Sequence, residues 1–343
     1  MDYIVFVLLL IFPAILYLIR NTKFENKFLC LIVVILSLIC GLRNYDSGID
    51  TQTYVNLLRL IGEGKSEYAY GLEDSFKTIV KLIMYIYDSP TCVFIICSFI
   101  TNAFVFASFY KYKKYASLSI MVLFYICAFY MHTFNIMRQM CSVAIIFFSV
   151  NYLIENKIIR YLLGLGVAAL FHLSSIISVL LISLFFKKNR LNFLILFTFV
   201  VSIIAYIYSD KIIYEYSHYF NSIQSSIGIG LIAKIVIFLL SFMITIRKIK
   251  LRKISKLYIQ VSIIYFVGIL ISFVGYFYPN MQRIGFYFLI FETVFYGITI
   301  KNINSTSVYD VAFIIFVVLM QIFVYGRSIV TNSMGIFPYS VCV

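Results

Sequence analysis

The chain has 343 residues, of which 63% are hydrophobic, 19% aromatic and only 12% charged, and its mean hydropathy is +0.99. A soluble globule needs more polar surface than this, so most soluble-enzyme classes are excluded and an all-α polytopic membrane protein is predicted, a single integral membrane domain over residues 1–343. The formal net charge of +14, from 28 Lys and Arg against 14 Asp and Glu, is in such a chain first a topology signal.

A crossing takes about 20 apolar residues. The first run, 3–19, has Asp2 where a cleaved signal would be basic and no small-residue cleavage site before Arg20, so it is expected to be an uncleaved first span. A second run covers 27–42. Residues 43–90 then form a long polar excursion whose segments TQTYVNLLRLI and SFKTIVKLIMYIYD have the pattern of short amphipathic helices lying in the membrane interface. Further runs at 91–110, 116–133, 138–154, 191–208, 229–246, 257–277, 284–300 and 308–325 bring the expected total to about ten transmembrane helices. Residues 161–186 are slightly long for one span and too short for two, and are predicted to be a re-entrant helical hairpin turning at Phe171-His172.

With the amino terminus outside, this arrangement gathers most Lys and Arg on the inner side. Arg20, Lys23, Lys27, Lys111, Lys113, Lys114, Lys157, Arg160, Lys187, Lys188, Arg190 and Lys301 lie there, as does the basic cytoplasmic loop 247–256. One full crossing over 161–186 would instead put that loop outside, against the positive-inside rule. The basic run is thus a loop facing anionic inner-membrane lipid, and no nucleic-acid partner is expected. The seven cysteines sit mostly in apolar runs without metal-ligand spacing and read as packing residues. No metal or other cofactor is expected: the sequence carries no P-loop, no Gly-rich dinucleotide fingerprint and no Asp-x-Asp pair.

The polar excursion sets Arg43, Arg59, Lys65, Lys77 and Lys81 among Asp46, Asp50, Glu63, Glu67, Glu73, Asp74 and Asp88, and its length marks it as a candidate functional element. Asp50 is most simply a helix N-cap, and Glu73 stands before the second amphipathic helix, where a carboxylate suits the helix dipole. Arg43 ends a span, where a cation complements the dipole. Arg138 and Arg283 each follow an asparagine by three residues at a span start, Asn135-Ile-Met-Arg138 and Asn280-Met-Gln-Arg283. With Asn as the cap, the guanidinium falls in the first turn, the wrong end of the dipole for a cation, and an anion bound between Arg and the free N–H groups would satisfy both. An outward-facing anion site follows. His172, far from any other obvious charge, lies at membrane depth, where ionisable groups usually line a cavity or substrate path, and an imidazole can accept a proton from a hydroxyl. His132 and His218 have nothing comparable around them.

With Leu42-Arg43, Gly48-Ile49-Asp50-Thr51 and Tyr54, Glu73, Asn135-Ile-Met-Arg138-Gln139, Phe171-His172-Leu173-Ser174 and Asn280-Met-Gln-Arg283 with Tyr287, in this order, the chain resembles the EpsG-type branch of the Wzy polysaccharide polymerases. The run Asn-Tyr-Asp-Ser at 44–47 departs from the usual pattern. The resemblance implies a nucleotide-independent glycosyltransferase of the bacterial inner membrane, working on the periplasmic face. A growing glycan would pass from undecaprenyl pyrophosphate to a sugar hydroxyl of an incoming lipid-linked repeat. It further implies Arg138 and Arg283 as stabilisers of the departing pyrophosphate and His172 as the group that orients or deprotonates the acceptor. Arg43, a third candidate to meet the pyrophosphate, and Tyr287 would be substrate-binding residues, Asp50, Tyr54 and Glu73 would bind sugar or serve as alternative bases, and a chain-length regulator and a flippase are candidate partners. An O-antigen ligase, which shares the donor, and a lipid-linked oligosaccharide flippase or transporter are the alternatives.

Overall fold

Apolar runs in a chain without water to satisfy its backbone must bond internally, and helices do so within one segment. The computed structural model describes residues 3–185, 229–248, 253–275, 279–303 and 307–342, and among these no β-strand occurs, only an isolated antiparallel bridge between Arg43 and Val341. The helices are α1 (Tyr3–Leu8), α2 (Ile11–Leu18), α3 (Glu25–Gly41), α4 (Thr51–Gly62), α5 (Asp74–Ile86), α6 (Pro90–Tyr112), α7 (Leu118–Ala128) and α8 (Met137–Ile154). They continue with α9 (Ile158–Phe171), α10 (Leu181–Phe185), α11 (Ile229–Lys248), α12 (Lys253–Val274), α13 (Pro279–Leu289), α14 (Glu292–Asn302) and α15 (Val308–Val330). Short 3₁₀ turns cover Ser66–Tyr68, Tyr130–Phe134 and Leu173–Leu180.

Against the ten expected crossings, five stretches among the described residues are helical, long and apolar enough to span a bilayer: Pro90–Tyr112, Met137–Ile154, Lys256–Val274, Met281–Asn302 and Val308–Val330. Other apolar runs form shorter or interrupted helices. The first run breaks at Leu9-Leu10 because a Pro13 ring in a continuous helix would meet the Leu9 carbonyl; in the first turn of α2 the missing N–H is harmless. The run 116–133 stops as an α-helix at Ala128 and tightens into a 3₁₀ turn, and within the span-length stretch Met281–Asn302 a turn at Ile290-Phe291 separates α13 from α14. The predicted span 191–208, His218 and the centre of the basic run, residues 249–252, lie outside the described residues.

Contacts between remote segments define two ends of the bundle. At one end Lys301 Nζ donates to the carbonyls of Lys113 and Lys114 at 2.8 and 3.1 Å, and Lys113 and Lys111 reach Glu25 and Glu155, each at 3.6 Å. At the other lie residues 43–90, the starts of α8 and α13, and the carboxy-terminal tail. The segment after α9 doubles back at His172: Tyr161 Oη, in the first turn of α9, donates to the Ser178 carbonyl at 2.5 Å. His172 is thereby placed at the end that carries the polar excursion.

The interior is rich in aromatic side chains. Phe109 packs edge-on against both Tyr125 and Phe147, with centroids 6.1 and 5.9 Å apart. Helices α3 and α6 approach so closely that a Cβ on Gly41 would lie 2.6 Å from the Ile95 Cα. Some buried polar groups bond across helices, as where Tyr125 Oη donates to Asn102 Oδ1 at 2.9 Å.

Candidate functional site

The polar excursion begins with a nest built around Arg43. Its side chain is 0% exposed. Nη1 donates to the Cys40 carbonyl at 2.7 Å, Nη2 to the Phe134 carbonyl at 3.0 Å and Nε to Thr51 Oγ1 at 3.3 Å, while the guanidinium carbon sits 4.2 Å from the Phe94 ring centroid. Thr51 Oγ1 donates in turn to the Ser47 carbonyl at 2.6 Å, which closes the turn that starts α4. Gly48 takes φ +110°, a conformation side chains rarely adopt, and its N–H reaches the Gly335 carbonyl at 2.7 Å. The tail completes the nest: Asn44 N–H donates to the Ser340 carbonyl at 2.8 Å and Cys342 N–H to the Leu42 carbonyl at 2.7 Å. All the Arg43 acceptors are neutral groups of the protein, so the residue suggested as an anion ligand is turned inward and holds helix α4 in place.

Helices α4 and α5 leave this base side by side, and the start of α5 carries the centre of the site. Glu73 occupies the N-cap position with extended backbone (φ −64°, ψ 139°), yet its carboxylate makes no cap bond. It is taken instead by two remote partners. Oε2 accepts from Arg138 Nη1. Oε1 lies 2.6 Å from His172 Nδ1 and 3.3 Å from the Leu173 N–H. One carboxylate therefore joins residues 65 and 99 positions away in sequence. The His172 side chain is 26% exposed and those of Arg138 and Glu73 are both 13% exposed, so the cluster is partly open.

Burial alone would raise the Glu73 carboxyl, but the His172 hydrogen bond and the Arg138 charge outweigh it and hold the acid down at about 2. An ionised carboxylate has no proton to give, so the short contact requires the hydrogen to be on His172 Nδ1, and Nε2 of a neutral ring is left as an acceptor. Arg138 spends further bonds on the Gly71 carbonyl at 3.1 Å and on Tyr54 Oη at 3.4 Å. Those three contacts use three of the five N–H groups of a guanidinium and leave two. Burial raises the Tyr54 phenol above its ordinary range against the pull of Arg138 and Arg283.

Arg138 does fall in the first turn of its helix, but Asn135 is not the cap: α8 begins at Met137, and Asn135 Nδ2 donates to the Met334 carbonyl at 3.0 Å. The anion expected beside Arg138 is supplied by the chain's own Glu73. Asn280 likewise lies inside its helix, α13, which begins at Pro279. Arg283 is exposed, and its carbonyl accepts from Gln139 Nε2 at 2.5 Å, which ties α13 to α8 beside the cluster. Asp50 stands at the α4 cap position with helical backbone (φ −93°, ψ −1°), from which its side chain makes no cap bond; it is half-buried near Tyr54. Tyr287 is fully buried behind the helix break, its hydroxyl 3.1 Å from Ser174 Oγ and 3.3 Å from Ser142 Oγ.

Arg138, Glu73, His172 and Tyr54 are thus brought into contact, with Arg283 and Asp50 at the margin and Arg43 and Tyr287 supporting from beneath. Two participants were missed by the sequence reading. Ser142 and the tail from Met334 to Cys342 carry no motif, and only the sequence's habit of placing serine inside an apolar helix hinted at the first. Chemically, the arrangement offers a cationic group with spare donors next to an oriented imidazole. Among the described residues no group of three or more His, Cys, Asp or Glu side chains is placed to hold a metal ion, and all seven cysteines are free thiols.

The sequence profile of the EpsG family matches residues 26–341, and the chain belongs to that family, a Wzy-type polymerase-like family of multi-pass membrane proteins of polysaccharide biosynthesis. No curated protein and no solved structure matches the chain.

Proposed function

We propose that the chain is a polysaccharide polymerase that passes a growing glycan from undecaprenyl pyrophosphate to a hydroxyl of an incoming lipid-linked repeat, on the periplasmic face of a bacterial inner membrane. The observation that carries this is the single Glu73 carboxylate holding Arg138 and His172 side by side. In the proposed step the acceptor oxygen bonds to the anomeric carbon of the donor, the bond from that carbon to the diphosphate breaks, and the hydroxyl proton passes to His172 Nε2. Glu73 keeps the ring in the accepting tautomer, an arrangement suited to a general base. The leaving diphosphate gathers charge that the two remaining Arg138 donors and exposed Arg283 can meet without a metal or a nucleotide. Tyr54 and Asp50 border the space in which the sugars would lie.

The side assignment is supported by charge. Lys111, Lys113, Lys114, Lys157 and Lys301 cluster at the end opposite Glu73, which the positive-inside rule puts in the cytoplasm. On that reading 43–90 is a periplasmic element. The outer side of α5, where Leu82, Tyr85 and Ile86 are 65%, 92% and 85% exposed, then rests on the membrane interface. On the same reading the described part of the predicted re-entrant segment, 161–185, is a hairpin entered and left from the cytoplasmic side.

Purified protein incubated with undecaprenyl-pyrophosphate-linked repeats is expected to yield a ladder of lengthened products, and His172→Ala to abolish most of it. Single repeats handed to a lipid A core with no ladder would identify a ligase instead. A wild-type protein that forms no new glycosidic bond, or a His172→Ala variant with full turnover, defeats the proposal.

A further inference from the structure

Helices α4 and α5 run in the same direction. Tyr54 and Glu73, near their first turns, meet at Arg138, while a Cβ placed on Gly62 at the far end of α4 would lie 2.8 Å from Met84 Cε and 3.0 Å from Asp88 Oδ1 at the far end of α5. Between those far ends and the start of α6 is a cavity of about 390 Å³, lined among others by Tyr45, Arg59, Gly62, Glu63, Asp88 and Ser89. That volume is within the range of small-molecule sites, about 300–1,000 Å³. From Tyr54 to Gly62 the helical rise gives a separation of about 12 Å, the reach of several linked sugars and not of one.

The lining chooses a chemistry. The Tyr45 hydroxyl is pinned 3.1 Å from Thr91 Oγ1, and the Arg59 guanidinium carbon lies 5.6 Å from the Tyr45 ring centroid, so an aromatic face and a planar donor are presented together. Glu63 and Asp88 line the same space, the Glu63 carboxylate already paired with Lys65 at 2.8 Å. Charged and hydroxyl groups on most sides do not suit a lipid tail, and two carboxylates against one guanidinium do not suit a phosphate. A hydroxyl-rich, uncharged ligand that can take paired hydrogen bonds and lay an apolar ring face on tyrosine fits both. Gly62, without a side chain, lets Met84 and Asp88 close up against α4 at the wall of the cavity, so a side chain added there would crowd that wall.

We infer that this cavity is a second glycan site, which grips sugar units of the lipid-linked saccharide several residues away from the bond being made. The inference rests on the polymerase reading and adds a place where chain identity is read apart from the chemistry. It is tested with full-length protein in nanodiscs and two variants, Arg59→Ala and Gly62→Leu, the latter filling the cavity, each checked for folding by thermal melting. With acceptors carrying either the full repeat or its first sugar alone, the ratio of the two KM values should shift about tenfold against the full repeat, with kcat changed by less than about threefold. An unshifted ratio in both folded variants overturns the second site and leaves the polymerase reading standing. An equal loss on both acceptors also overturns it, because the effect would then belong to the Arg138 cluster. Should wild type make no ladder, the polymerase reading fails separately. Saturation-transfer NMR with the repeat oligosaccharide freed from its lipid then decides: transfer lost in Gly62→Leu supports a sugar site, and transfer retained there, or missing in wild type, overturns it.

Discussion

Arg43 and Arg138 lie at the same end of the bundle, each beside the end of a long helix and each close to an aromatic ring, yet they do opposite things. Arg43 is sealed, its donors given to two carbonyls, a threonine hydroxyl and the Cys40 sulfur, and its charge lies against aromatic faces with no carboxylate paired to it among the described residues. Arg138 is partly open, bonded to a carboxylate that another titratable group shares, and keeps donors unspent. A guanidinium surrounded by fixed neutral acceptors makes a rigid corner. One balanced by a carboxylate and still reachable by water can exchange partners, which is what binding an anionic ligand requires. An arginine's residue type and helix-end position therefore do not say whether it builds or acts.

That contrast can be broken by measurement, most strongly at the open cluster. His172→Ala is expected to lower turnover by about 10²–10⁴-fold while leaving the thermal midpoint of the purified protein close to wild type. A variant that fails to fold would show His172 to be part of the scaffold. Arg43→Ala should give the reverse pattern, a loss of roughly 3–5 kcal/mol of stability as buried acceptors lose their donor, seen as poor yield and a lowered midpoint. A stable Arg43→Ala protein that is specifically inactive would move that residue into the reacting cluster.

Glu73→Gln sharpens the comparison through pH. The Glu73 carboxyl is depressed from 4.5 to about 2 in the folded protein, so its stabilising contribution is fully present above about 4.5 and is lost as pH falls through the folded value. The variant should lose about 1–3 kcal/mol at neutral pH and show a flatter decline of melting temperature between pH 4.5 and 2 than wild type. Parallel acid profiles for the two proteins would mean that the ion pair does not form in solution. The smallest effect is expected at Tyr287→Phe. Removing the hydroxyl shared with Ser174 and Ser142 should cost about 1 kcal/mol and loosen the His172 break, read as a modest fall in kcat with little change in KM.

Much of this molecule is legible in its residue order. The apolar runs that become α6, α8, α12 and α15, the amphipathic α4 and α5, and the break at His172 follow from local patterns of hydropathy and from proline and polar punctuation. The candidates Arg138, Glu73 and His172 were visible too, each for a separate reason. Their union was not. Glu73 was explained by the helix dipole and His172 was placed far from charge, because periodicity reports which face a residue occupies and says nothing of what stands opposite. Asp50 takes the cap position without making a cap bond, and Asn135 is not the cap at all, for a related reason: capping depends on backbone angles and on rival partners such as Met334, and residue type specifies neither.

By itself, then, the sequence determined a helical membrane protein with one basic and one polar end, since apolar length, charge bias and helix period are properties of neighbouring residues. Only the tertiary structure decided that the tail would lock Arg43 into a closed corner and that one carboxylate would hold a guanidinium and an imidazole together. Those pairings run from 65 residues apart, for Glu73 and Arg138, to 300 apart, for Leu42 and Cys342, and depend on the packing of whole helices, which fixes distances that no local pattern encodes.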